Sequence, residues 1–275
     1  MPDGESILLR RTVRVGISAA AAPDAEGSGH FPARGNGFAG IPSSDSWTAH
    51  HEIDVTCTGR PDAVTGYLVG IQEIDAAVRS RAVPILREGF RTGLPLPATV
   101  PARLAAAIAP ALPPHAPVTG ITWRPGPFVN YTWSSTMPEH AIVAARFEFS
   151  AAHRLHCPEL SDAENRRIFG KCNHPGGHGH NYQVEVAVRV PTGAGAQPMT
   201  AAALGNIVLA EVIDRFDHKH LNADCPEFAS VNPSVENIAR ACHALLEHRV
   251  REGGAELHRV TVWETEKTSA TYPAR

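Results

Sequence analysis

The feature that most constrains this chain is the run HGHNYQVEVAVRV, from His178 to Val190. Polar and apolar residues alternate through it, and a period of two over that length describes a half-buried β-strand, because successive side chains point to opposite faces. Tyr182, Val184, Val186 and Val188 form the apolar face, while Asn181, Gln183, Glu185 and Arg189 form the polar one. His178 and His180 are in phase with the apolar set, so both imidazoles look inward. The same count along ARFEFSAAH puts His153 in phase with Phe147, Phe149 and Ala151.

Burying polar rings without partners costs about 1–3 kcal/mol each. A metal ion would satisfy all three together: a His-x-His pair on one strand and a third histidine from a neighbour supply nitrogen ligands and leave a fourth tetrahedral position open, as in catalytic zinc sites. On spacing alone three readings stay open. They are a catalytic zinc, a structural zinc closed by Cys157 or Cys172, and satisfied core histidines without metal.

The rest of the chain reads as two halves of similar plan, divided at the polar stretch Ser134 to Glu139 with Met137 and Pro138 inside it. After the two strands above come helical patterns at Ala201 to Phe216 and Ser234 to Val250, then the strand pair HRVTVWET and TSATY. The first half repeats this order with LLRRTVRVGIS and HHEIDVTCTG, helices at Ile71 to Glu88 and Pro101 to Ala111, and VTGITW and FVNYTW. An internal duplication is the expectation, with domains at 1–134 and 140–275; two unrelated α+β domains are the alternative. Between Ala19 and Ser46 the chain is rich in Gly, Pro, Ser and Asp without a period, which reads as a long loop.

Charge is nearly balanced, with 25 Lys plus Arg against 28 Asp plus Glu. No global field recruits nucleic acid or an anionic membrane. No apolar stretch approaches the roughly 20 residues that span a bilayer. Five cysteines at irregular spacing, with no secretory leader, point to a reducing cytoplasmic compartment.

The ordered motifs FSAAHRL, FGKCNHPGGHGHNY, DHKHLN, ENIA and WETEKTSATY, from about Arg146 to Tyr272, resemble the 6-pyruvoyl-tetrahydropterin and 6-carboxytetrahydropterin synthase family. The resemblance implies the α+β tunnelling fold (T-fold): here tandem units, each an antiparallel four-stranded sheet with two helices on one face, which join edge to edge into a barrel in a homo-oligomer. It implies Zn2+ on His153, His178 and His180. Cys172 falls at the family's proton-abstracting cysteine, and Asp217 and His218 at its proton-relay pair, although His220 makes the choice of histidine ambiguous. Glu264, in phase with Val260 and Val262, falls at the glutamate that grips the pterin. Glu236 and Ser234 match positions beside the pterin pocket, with Val235 replacing a family threonine.

The substrate implied is 7,8-dihydroneopterin triphosphate. Two products are open: 6-carboxy-tetrahydropterin with release of triphosphate and acetaldehyde, on the route to queuosine and other deazapurines, or 6-pyruvoyl-tetrahydropterin. The Ala-, Pro- and Arg-rich, bacterial-looking composition leans the reading to the first; the Cys-to-His-Gly-His spacing resembles the second. A non-enzymatic structural zinc protein is the alternative of another class.

Strand phase aligns Trp47 with His178 and Ala49 with His180, leaves His50 on a polar face, and sets Arg124 opposite Glu264. The first half is therefore expected to be a copy without a metal site, and architectural.

Overall fold

The computed structural model describes residues 5–18, 48–93 and 96–274. The chain divides into two compact units, Met1–Val143 with Pro191–Pro198, and Ala144–Val190 with Met199–Arg275. The expected loop at 19–46 and Trp47 lie outside the described residues.

In the first unit, β1 (Ile7–Ser18) pairs antiparallel with β2 (Thr48–Gly59) along its whole length. β2 then pairs with β3 (Val118–Gly126), and β3 with β4 (Val129–Ser134). Val13, Val15, Ile17, Ile53, Val55, Ile121 and Trp123 supply one buried face. The helical run that contributes to this unit's core begins with α1 (Ile71–Ala77), passes through a π-helical turn at Val78–Ala82 and continues as α2 (Val83–Thr92). Pro84 explains the turn: it has no N–H for the carbonyl of Ser80, so the ladder widens there and resumes. The helix outruns the expected end at Glu88 and stops at Gly93, whose φ of 79° is left-handed. α3 (Val100–Ile108) buries Val100, Leu104 and Ile108 at a four-residue spacing.

The register corrects one alignment. Ile53 pairs with Trp123 and Glu52 with Arg124, so Arg124 leaves the apolar face, and its guanidinium sits 3.0 Å from Asp54. Asp54 is 4% exposed and also accepts from Thr12 at 2.6 Å. Arg124 therefore does not stand where Glu264 stands; Pro125, two residues after the buried Trp123, occupies that phase. His50 is exposed, whereas its neighbour His51 is buried.

In the second unit, β5 (His140–His153) lies beside β6 (His178–Pro191), and β6 pairs antiparallel with β8 (Glu256–Thr265), which pairs with β9 (Thr268–Tyr272). Between them in sequence, the two-residue β7 (Lys219–His220) adds to β5 in parallel at Ala151 and Ala152. The division of the chain into units falls inside β5, after Val143. The expected helix at Ala201 to Phe216 is α5 (Ala201–Val208), a π-helical turn Leu209–Ile213 and α6 (Asp214–Phe216). α8 (Val235–Glu252) begins after Ser234, whose hydroxyl accepts from the Asn237 N–H. Leu204, Val208, Val212, Ile238, Cys242 and Leu246 from these helices are fully buried, as are Val184, Val186, Val188, Val260 and Val262 from the strands. Two short helices were not expected: α4 (Asp162–Phe169), opened by the reciprocal Ser161 and Glu164 capping box, and α7 (Leu221–Asp224). Among the described residues no helix is long and apolar enough to cross a membrane.

His51 makes a testable contribution to the first unit. Its Nδ1 accepts the Trp123 indole N–H at 3.0 Å, its ring stacks on Trp123, and burial, reinforced by the charge of His50, lowers its pKa to about 4. Because the folded pKa lies below the ordinary value near 6.5, the unfolded chain binds the proton first. The neutral ring's contribution is full above about pH 6.5 and is lost as pH falls toward 4, by up to about 3 kcal/mol. His51→Gln keeps an acceptor and does not titrate, so thermal unfolding of this variant should show a smaller loss of Tm between pH 6.5 and 4.5. Equal pH slopes for variant and parent would contradict this assignment.

Candidate active site

His153 is the last residue of β5, and His178 and His180 are the first and third of β6. Their side chains meet. The ring nitrogens offered by the three all lie within 4.8 Å of one another, and Nε2 of His153 is 3.2 Å from Nε2 of His178. His153 is completely buried, and its Nδ1–H donates to the Pro233 carbonyl at 2.7 Å. A carbonyl can only accept, so the proton is held on Nδ1 and the Nε2 lone pair faces the other rings. Burial lowers the pKa of His153 and of His180, which keeps both imidazoles neutral near pH 7. His178 Nδ1 and His180 Nε2 are buried without a hydrogen bond. Converging nitrogen lone pairs and two orphaned ring nitrogens fit a metal ion held by three histidines.

The backbone makes this convergence possible at one glycine. Gly177, immediately before β6, has φ of 70°, and a Cβ placed there would lie 2.8 Å from the His153 carbonyl oxygen and 2.8 Å from His220 Nε2. The chain after β5 is then held by asparagines from distant segments. Asn222 accepts from the Arg154 N–H at 2.8 Å and donates to its carbonyl at 3.0 Å. Asn232 accepts from the His156 N–H at 2.9 Å, Asn173 donates to the Leu155 carbonyl at 2.8 Å, and the fully buried Asn165 bonds both the N–H and C=O of Cys157. These side chains replace the ladder that ends at His153.

Cys172 sits in the 3-10 turn Gly170–Asn173, and its carbonyl accepts from the Leu155 N–H at 2.8 Å, which ties the thiol's turn to the segment following His153. The thiol pKa is raised, by burial first and by the charge of Glu264 second. A raised thiol is opposite to what a proton-abstracting cysteine needs, since the thiolate is the base. Glu264 has moved into the histidine cluster: its Oε1 is 3.3 Å from His153 Nε2 and 3.5 Å from His180 Nε2. The His180 contact is electrostatic, since the nitrogen has no aligned hydrogen bond.

Asp217 and His218 form a second group. Asp217 Oδ1 accepts from the Ser150 N–H at 2.8 Å and Oδ2 accepts from His218 Nδ1 at 2.7 Å. The Ser150 bond, then the His218 bond, lower the Asp217 pKa. His218 adopts the left-handed backbone at φ 56°, a conformation offset by its N–H donating to the Ser150 carbonyl at 2.6 Å. Together with His180 and His220, His218 lines an open depression of about 550 Å³. Among the described residues no hydrogen bond joins Cys172 to Asp217 or His218. Ser234 caps α8, and Glu236 is exposed on that helix's first turn without a bond to the other named residues.

Sequence reasoning missed the Pro233 carbonyl, Gly177 and the asparagine clamps. Gly177 was visible as the second glycine of HPGGHGH, but its purpose emerges only from the approach of the His153 backbone. Gly177→Ala should cost at least about 1–2 kcal/mol through the left-handed backbone alone and weaken metal binding on the order of tenfold. Equilibrium metal titration checks this, and an unchanged affinity would show that the close approach is not required.

Residues 142–275 match the family model described as 6-pyruvoyl tetrahydropterin synthase. The human protein named 6-pyruvoyl tetrahydrobiopterin synthase is 40% identical over 133 residues, which cover 48% of this chain and 90% of the human one. The Drosophila melanogaster protein of the same name is 46% identical over 104 residues, covering 36% of this chain and 60% of its own. The solved structure of Caenorhabditis elegans 6-pyruvoyl tetrahydropterin synthase is 35% identical, covers 50% of this chain and 96% of its own, and superposes with a TM-score of 0.46. The relatives carry the pyruvoyl name, which favours that branch over the carboxy branch toward which the composition leaned. Through its second half, the chain belongs to the 6-pyruvoyl tetrahydropterin synthase family.

Proposed function

We propose that the second unit is a zinc-dependent lyase that eliminates triphosphate from 7,8-dihydroneopterin triphosphate to give 6-pyruvoyl-tetrahydropterin. The observation that carries this reading is the cluster of three imidazoles, two with unpartnered buried nitrogens, against the carboxylate of Glu264. His153, His178 and His180 would hold Zn2+, which when bound supplies Lewis-acid polarisation of the substrate's side-chain oxygens. Glu264 accepts from the pterin amino and ring N–H groups, a two-point acceptor for a two-point donor. Cys172 would take the proton from the side-chain carbon as its thiolate, a form that a cation held by the imidazoles beside Glu264 would favour. His218, whose Nδ1–H is held by Asp217, keeps its Nε2 free to pass a proton at the depression. Triphosphate leaves with its bonding electron pair, and an internal redox shift completes the product. Ser234 and Glu236 are assigned to the pocket's edge.

The first unit is proposed as a tandem T-fold partner without chemistry. Ala49 occupies the phase of His180, and the adjoining inward position holds His51 against Trp123 rather than a metal ligand. Strands β1 and β9 each pair on one side in their units, which supports a homo-oligomer closed by sheet-edge pairing. All five cysteines are free, which supports a reducing cytoplasmic setting.

Zinc-loaded protein incubated with 7,8-dihydroneopterin triphosphate should release triphosphate without acetaldehyde. Acetaldehyde in amounts equal to triphosphate would transfer the chain to the carboxy branch. Cys172→Ala should lower kcat about 10²–10⁴-fold at unchanged zinc content. Full activity of that variant would remove the thiol from the mechanism.

A further inference from the structure

Tyr182 is fully buried on β6, two residues beyond His180 and on the same face. Its ring stacks on Phe149 at 5.0 Å and meets the edges of His180 at 5.5 Å and His153 at 6.1 Å. Phenylalanine would make the same contacts. The hydroxyl, in contrast, is buried without a hydrogen-bond partner, a costly state that calls for a purpose.

The strand register shows what stands opposite. β6 and β8 pair Val184 with Val262 and Gln183 with Trp263, and one more step in that antiparallel register sets Tyr182 across from Glu264. Directly opposed side chains on one face have Cβ atoms about 4.5–5.5 Å apart. Tyr182 and Glu264 also share two neighbours, since the Glu264 carboxylate touches the same His153 and His180 rings. A phenol is protonated near neutral pH, so the hydroxyl is an O–H donor on the side where Glu264 offers an acceptor.

We propose that Tyr182 is a positioning residue for the pterin-binding carboxylate: when substrate fills the site, the Tyr182 O–H donates to Glu264 and orients its oxygens toward the pterin N–H groups. This rests on the reading of Glu264 in the proposed lyase. In the resting protein Glu264 leans on the histidines and the hydroxyl waits unpaired. The phenol thus lowers resting stability and raises substrate affinity, a combination that a packing residue does not produce.

Tyr182→Phe separates these roles. Zinc-loaded parent and variant are compared for steady-state turnover of 7,8-dihydroneopterin triphosphate, for equilibrium binding of 7,8-dihydroneopterin, and for Tm and zinc content. The expected result is a KM and a dihydroneopterin Kd each raised about tenfold, the loss of roughly one hydrogen bond to a charged group, with kcat changed less than about threefold, zinc content unchanged and Tm equal or higher. KM and Kd within about twofold of the parent, or a lowered Tm that reveals a partner in the resting state, would overturn the proposal. A parent that binds zinc but does not release triphosphate would overturn the lyase reading instead.

Discussion

The site depends on one hydrogen bond. His153 ends β5 in a fully buried position, and its Nδ1–H is taken by the Pro233 carbonyl at the entrance to α8. With that proton committed, the remaining lone pair has a single direction, toward His178 and Glu264. The surrounding features follow as conditions for it. Gly177 lets β6 begin against the His153 carbonyl, and the asparagines satisfy the backbone that leaves β5 immediately afterwards. Ser234, next to Pro233, caps α8 and so fixes where that carbonyl stands.

Glu264 sets the electrostatics. Burial first and the charge of Glu264 second raise the thiol of Cys172 and the phenol of Tyr182, and the same charge opposes the burial that lowers His153 and His180. Its ion-pair partners are histidines whose rings are neutral near pH 7. A half-buried carboxylate against neutral rings is poorly compensated. A divalent cation among the imidazoles, or the N–H groups of a pterin, would supply the compensation that the protein's own side chains leave open.

Much of this was legible in the sequence because strands count in twos. The phase of His178 and His180 with Val184 and of His153 with Phe149 located the cluster without any structure. Helices were legible by their apolar spacing, and the first runs past its expected end at Glu88 to Thr92, with a π-helical turn absorbing Pro84. Alignment of the two halves by phase failed at Arg124, because the β2 to β3 register puts that residue on the polar face. The partners that hold the site could not be read. Pro233 and the clamping asparagines Asn222 and Asn232 lie 68 to 80 residues from what they bind, and a hydrogen bond across that separation leaves no period in the chain.

We propose that, of this chain's side chains, His153, His178 and His180 alone hold one metal ion and leave room for substrate. X-ray absorption at the zinc edge of the purified protein tests it most directly. The spectrum should show about one zinc per chain with three imidazole nitrogens near 2.0–2.1 Å and light-atom scatterers completing the shell. A sulfur scatterer near 2.3 Å, which would mean that a cysteine closes the site, or a chain that binds no metal would contradict it.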